Sequence, residues 1–311
     1  MRFSTWTLIA ICQRVPAMSE IVCIGSVLWD IIGRASAIMR LGSDVPGRIT
    51  RLPGGVAMNV AMTLRRFDMT PVLLTAIGRD AEGEELMSAC QRMGMKTDFV
   101  YRSDDLPTDR YMAIEGANGL VAAIADAHSL EAVGDKILRP LSDGRLGTPR
   151  APYEGRIVLD GNLTEALLSD IALSPAFAAA DLCVAPASPG KAERLLPLLA
   201  TPNATLYLNL EEAGLLCQTR FEDAPLAANA LLDRGAAKVL VTNGGEAAAY
   251  GGANGVLTAR PPQVLVTRVT GAGDTCMAAH IAALSRGAPL EDALDAALSA
   301  AAAYVSGDVP S

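Results

Sequence analysis

The chain has 311 residues, 50% apolar and 19% charged, with 28 glycines and 18 prolines, which excludes collagen, a disordered chain and a coiled coil. Its formal charge is −8 and no Lys/Arg block exceeds two residues, so the basic stripe that a nucleic-acid binder needs is missing. Six scattered cysteines without a C-x-x-C pair read as reduced thiols, and two histidines, His128 and His280, leave little for a His-based metal site or a triad.

In chain order, residues 6–12 form a short apolar stretch that Gln13 and Arg14 interrupt. It is too short for a convincing secretion signal. Residues 1–18 therefore read as an extension upstream of a true start at Met18. Nothing later reaches transmembrane length, so a cytoplasmic protein without membrane contact is expected. Ile21-Val22-Cys23-Ile24-Gly25 has the pattern of a buried parallel strand, with Asp30 shortly after it. Residues 54–67 read as a Gly-Gly turn feeding a helix, 71–78 as a strand, and 82–93 as a helix with apolar positions three and four apart. Strands recur at 156–160, 181–185, 204–208 and 237–242, with helical stretches at 164–180, 189–200, 210–217 and 225–235. This alternation predicts an α/β fold: a doubly wound, mostly parallel sheet with helices on both faces.

Two stretches break the rhythm. Residues 33–53 carry no helix signal, and 108–126 read as two strands around Ala117-Asn118-Gly119, a strong hairpin signal. Together they predict a small inserted β-sheet, placed as a lid over a ligand crevice at the carboxyl ends of the parallel strands. An open edge on such a sheet points to a possible homodimer. Residues 132–152 read as a loop-rich connection.

Four motifs carry chemistry. In Val269-Thr270-Gly271-Ala272-Gly273-Asp274-Thr275, two glycines precede a helix expected to start at Asp274, whose free N–H groups would bind an anion. Asp274 is either a proton acceptor for a hydroxyl attacking phosphorus or simply a helix cap. Pro53-Gly54-Gly55-Val56 opens a helix, with Asn59 one turn on; it is a sugar-contacting turn or an ordinary loop. Asn209-Leu210-Glu211-Glu212 after a strand could hold a hydrated Mg²⁺ or only start a helix with an acidic turn. Thr242-Asn243-Gly244-Gly245 could face a nucleotide phosphate or merely reverse the chain.

The order of these motifs within one alternating fold resembles the ribokinase-like (PfkB) carbohydrate kinase family, over residues 19–305. The resemblance implies one kinase domain, 19–311, with its lid at about 33–53 and 108–126. It implies Asp274 as catalytic base beside an anion hole of the Ala272, Gly273 and Asp274 amides after Gly271. Asn209 would meet ATP, Glu212 would hold Mg²⁺ through water, and Thr242, Gly244 and Gly245 would lie near the nucleotide phosphates. Asp30, Ser43, Asp44, Gly54, Gly55 and Asn59 would bind the sugar.

Ile24-Gly25-Ser26, Pro46-Gly47-Arg48-Ile49, Asp160-Gly161-Asn162-Leu163 and Ser188-Pro189-Gly190-Lys191 look like the pseudouridine kinase branch, adding Asn162 and Lys191 as substrate contacts. The expected reaction is ATP-dependent phosphorylation of the 5′ hydroxyl of a ribose-containing substrate, pseudouridine first. A kinase for a free sugar or another nucleoside is the nearest alternative, and a non-catalytic sensor the alternative of another class. A dehydrogenase is disfavoured, because the first strand ends without G-x-G-x-x-G.

Three positions depart from the family pattern. Arg268 stands six residues before Asp274, where many relatives carry an acidic residue supporting a monovalent cation, which puts K⁺ activation in doubt. Tyr207-Leu208 replaces a common Lys-Pro, and Ala185-Pro186 a common Asp-Pro.

Overall fold

A computed structural model describes residues 20–40, 42, 44–117 and 119–307; the expected extension at 1–18 lies outside the described residues. The first apolar run is β1 (Glu20–Ile24), followed by β2 (Leu28–Arg34), β3 (Arg48–Gly54) and α1 (Val56–Arg66). The expected strand at 71–78 is two strands, β4 (Thr70–Leu74) and β5 (Ala76–Gly78), which join different sheets. Next come α2 (Ala81–Arg92), β6 (Tyr101–Ser103), β7 (Arg110–Gly116), β8 (Gly119–Asp126), α3 (His128–Val133) and β9 (Arg156–Asp160). The stretch read as loop-rich holds the end of α3 and a 3₁₀ segment, Gly134–Leu141.

The helix expected over 164–180 ends as α4 (Glu165–Leu173), because Ser174 precedes Pro175 and is extended, with ψ 128°. After β10 (Asp181–Ala185), the stretch 189–200 is a 3₁₀ helix, Pro189–Leu198, with Pro197 inside it. The chain continues through β11 (Ala204–Asn209), α5 (Leu210–Cys217), α6 (Ala224–Asp233) and β12 (Lys238–Thr242). A hairpin, β13 (Ala248–Gly252) and β14 (Gly255–Ala259), leads to α7 (Ala272–Ser285) and α8 (Leu290–Ser306).

The main sheet runs β14-β13-β12-β11-β10-β9-β1-β4, parallel from β12 to β4 and antiparallel at β13 and β14. Its strands are apolar on both faces, as parallel strands covered by helices must be. Val22 and Ile24 pack into a core with Leu130, Leu168 and Leu231, while Ile21 and Cys23 pack with Met58, Met277 and Leu294. Helices α3 to α6 thus cover one face and α1, α7 and α8 the other. Because β4 lies on one side of β1 and β9 on the other, the winding reverses between β1 and β9. An open α/β sheet forms its ligand crevice beyond the carboxyl ends of the strands at such a reversal.

The small sheet has the order β3-β2-β7-β8 and starts at Leu28, before residue 33. Register puts Asp30, Leu52 and Tyr111 on one face. The opposite face carries Ile49, Met112, Ile114 and Ile124, all exposed. Among the described residues no helix is long and apolar enough to cross a membrane.

Candidate active site

Asp160 ends β9 at the winding reversal, and its carboxylate is fully buried. A buried carboxylate persists only if its oxygens are satisfied. Here Oδ2 accepts from the Ser26 amide at 2.7 Å and from the Ser26 hydroxyl, and Oδ1 accepts from the Asn162 amide at 2.7 Å. Ser26 Oγ in turn accepts from the Val56 amide and from Asn162 Nδ2, both at 3.0 Å. Asn162 Oδ1 accepts from Lys191 Nζ at 2.6 Å. One carboxylate thereby joins the end of β1, the start of α1, the turn after β9 and the 3₁₀ segment that carries Lys191. Gly25 makes room for it: φ is +148°, and a Cβ there would lie 2.2 Å from Asp160 Cβ.

The Gly-Gly turn closes the next side. Gly55, with φ +96°, caps α1, and Asn59 lies one turn into that helix. Asp30 projects from β2 against Gly54, where an added Cβ would meet its Oδ2 at 2.0 Å. Burial pushes the Asp30 carboxyl up to about 6. Gly54→Ala should therefore displace Asp30, and if Asp30 binds the acceptor sugar, as the family resemblance implies, raise the acceptor KM about tenfold or more in steady-state kinetics, with kcat moving less. An unchanged KM would remove Asp30 from acceptor binding.

Across this floor stands α7. It starts at Ala272, two residues earlier than the sequence suggested, because Gly271 at φ +87° serves as the N-cap. Asp274 therefore sits in the first turn and is not the cap; its Oδ2 accepts from Asn59 Nδ2 at 2.9 Å. Burial raises its pKa to about 7, opposed by the Asn59 hydrogen bond and reinforced by the Asp160, Glu212 and Asp30 charges. The expected trio of amides is reduced to two: the Ala272 N–H donates to Val269 O at 3.1 Å, so the Gly273 and Asp274 amides remain for an anion. Gly273 is exposed, and a Cβ there would meet nothing within 4 Å.

At the start of α5, Asn209 and Glu212 form a capping box, each side chain accepting from the other's amide at 2.9 Å. Glu212 is buried, which pushes its carboxyl up to about 7, and only Oε2 takes part in the box. Asn209, Thr242 and Gly244 line a cavity of about 910 Å³ together with Gly214, Arg220 and Phe221. Gly244 has φ +55°, and Gly245 follows it in the same turn. Tyr207, where relatives often carry Lys, is turned into the core, its hydroxyl 2.9 Å from His280 Nδ1 beneath α7.

The structure thus joins Asn59 to Asp274, Gly54 to Asp30, and Asn162 to Lys191. Asp44 is exposed in the β2–β3 connection and no hydrogen bond ties it to these groups; Ser43 lies outside the described residues. Sequence reasoning missed Ser26 and Asp160 as the hub. Their signals were an acidic residue ending an apolar strand and a Gly-Ser ending another. Among the described residues no group of three or more His, Cys, Asp or Glu side chains could hold a metal ion. The donor set therefore fits Mg²⁺ only as that ion is usually bound, by one carboxylate such as Glu212 with water and phosphate oxygens.

The Escherichia coli pseudouridine kinase is 27% identical over 284 residues, covering 88% of this chain and 86% of that protein. A carbohydrate kinase from Agrobacterium tumefaciens superposes with a TM-score of 0.77 at 25% identity, covering 94% of each chain. The Arabidopsis thaliana ribokinase complexed with ribose and ATP shares the fold, with a TM-score of 0.74 at 20% identity over 95% of this chain and 94% of that one. Residues 18–308 match the model of the pfkB family of carbohydrate kinases, and the chain belongs to that family.

Proposed function

We propose that the chain transfers the γ-phosphoryl group of ATP to the 5′ hydroxyl of a ribose-containing nucleoside, pseudouridine. The observation that carries the phosphotransfer reading is the Asp274 carboxylate, held by Asn59 in the first turn of α7 beside two unpaired amides. Its pKa of about 7 suits a group that must take up a proton near neutrality. As O5′ bonds to the γ-phosphorus and the bond to the β,γ-bridging oxygen breaks, Asp274 accepts the hydroxyl proton and ADP leaves. The Gly273 and Asp274 amides and the α7 dipole stabilise the transferring phosphoryl. Mg²⁺, when bound, neutralises phosphate charge, and Glu212 would hold it through water.

Asp30 and Asn59 orient the sugar hydroxyls, while the small sheet over them excludes water and suppresses ATP hydrolysis. Pseudouridine is preferred over a free sugar because of Lys191. Its ammonium uses one donor on Asn162 and keeps others for a base carbonyl. The 27% identical pseudouridine kinase supports the same choice. The test is ADP formation with Mg-ATP against pseudouridine, uridine, adenosine and ribose. We expect pseudouridine to give a kcat/KM at least about tenfold above the others. Preference for ribose would replace the nucleoside by a free sugar, and sugar binding in calorimetry without ADP would make the chain a sensor.

A further inference from the structure

The loop at residues 267–271, which delivers the chain into α7, is largely exposed, yet it is fastened to the last turn of α8. The Thr267 amide and hydroxyl donate to Val305 O at 2.8 and 3.0 Å, and the Arg268 amide donates to the same oxygen at 3.3 Å. Arg268 Nε donates to Tyr304 O at 2.8 Å, and its guanidinium lies 3.9 Å from the centre of the Tyr304 ring. The Tyr304 hydroxyl then reaches back and donates to Thr270 O at 2.9 Å. It stands 2.7 Å from where a Cβ on Gly271 would lie, so this packing requires glycine there as well as φ +87°.

A cation bound at this loop would need several backbone carbonyls turned toward it and no positive charge beside them. The chain offers the reverse. The carbonyl just before Gly271 is committed to a phenol proton, the carbonyls ending α8 are committed to Thr267 and Arg268, and a permanent guanidinium occupies the junction. A monovalent cation does not fit.

We propose that Arg268 and Tyr304 act as positioning residues, a built-in cationic clamp that fixes the backbone before the Gly273 and Asp274 amides, so that turnover does not depend on monovalent cations. The inference rests on the kinase reading above. Its physical content is pre-organisation: amides that must meet a transferring phosphoryl lose catalytic value when their backbone wanders by an ångström. The guanidinium also lies at the carboxyl end of α8, where a positive charge is favoured.

The experiment compares chloride salts of K⁺, Na⁺ and tetramethylammonium at equal ionic strength, using the full chain. Wild-type kcat should agree within about twofold across the three, and the melting midpoint within about 1 °C. Tyr304→Phe, which deletes one oxygen, should lower kcat about tenfold with both KM values within about threefold, and speed amide exchange at 272 and 275, whose N–H groups donate to Val269 O and Gly271 O. Arg268→Lys should restore more of kcat than Arg268→Met. Activation by K⁺ of about fivefold or more, a K⁺-specific rise in the midpoint, or wild-type kcat and exchange in Tyr304→Phe would each overturn the clamp. If no acceptor yields ADP, the kinase reading fails; the midpoint and exchange measurements need no turnover and still decide the clamp.

Discussion

Asp274→Asn is expected to lower kcat by roughly 10³ while making the folded protein more stable at pH 8. The amide keeps the shape and can still accept from Asn59 Nδ2, which now bonds Oδ2 of the acid. What it loses is the ability to take a proton. The stability gain follows from linkage. Burial raises the folded carboxyl from 3.8 to about 7, so between those values the folded state binds the proton more tightly than the unfolded state. Stability contributed by this group is therefore full below about pH 4 and falls as pH rises through 7, by roughly 2–4 kcal/mol given partial exposure. Asn at 274 removes that fall, and calorimetry at pH 5 and pH 8 should show its melting midpoint exceeding wild type by clearly more at the higher pH. Equal midpoints at both values would mean the carboxylate is not held in an unfavourable environment.

Removal of the Asp160 carboxylate should have the second largest effect. Asp160→Ala would strand the Ser26 amide, the Ser26 hydroxyl and the Asn162 amide at the bottom of the crevice. Each orphaned buried donor costs about 1–3 kcal/mol, so a loss of roughly 3–5 kcal/mol and a midpoint drop of about 10 °C are expected. The same loss frees Asn162, and with it Lys191, so the acceptor KM should rise more than tenfold by the reasoning used for Gly54. Asp160→Asn, which keeps one acceptor oxygen, should lie between the two in both measurements. A midpoint within about 2 °C of wild type for Asp160→Ala would show that the hub is not a stability element.

The two effects have different origins in the sequence. The strand runs RIVLD and DLCVA declared their burial through continuous apolar character, and the Gly-Ala-Gly-Asp segment declared a helix start. What local pattern could not convey was pairing at a distance. Ser26 and Asp160 are 134 residues apart and meet because β1 and β9 are neighbours, while Asn59 and Asp274 are 215 apart and meet because α1 and α7 pack on the same face of the sheet. Helix length was misjudged at 174 and 189–198 because proline limits on the backbone outweighed apolar spacing. The helix starts two residues earlier than its sequence suggests because Gly271 adopts a left-handed cap, packed where Tyr304 leaves no room for a Cβ. The Asn209–Glu212 motif shows the opposite case. Its residues form an ordinary capping box, yet the box leaves Glu212 Oε1 and Asn209 Nδ2 for a ligand.

The pH dependence of kcat tests the proton-accepting role of Asp274 most directly. Glu212 also titrates near 7, so wild type must be measured beside Glu212→Gln and Asp274→Asn from pH 5 to 9. The structure predicts a kcat that rises tenfold per pH unit on the acid side and levels off above about 7, with that limb retained in Glu212→Gln and absent from the residual activity of Asp274→Asn. A flat wild-type profile, or a limb that survives in Asp274→Asn, would contradict it.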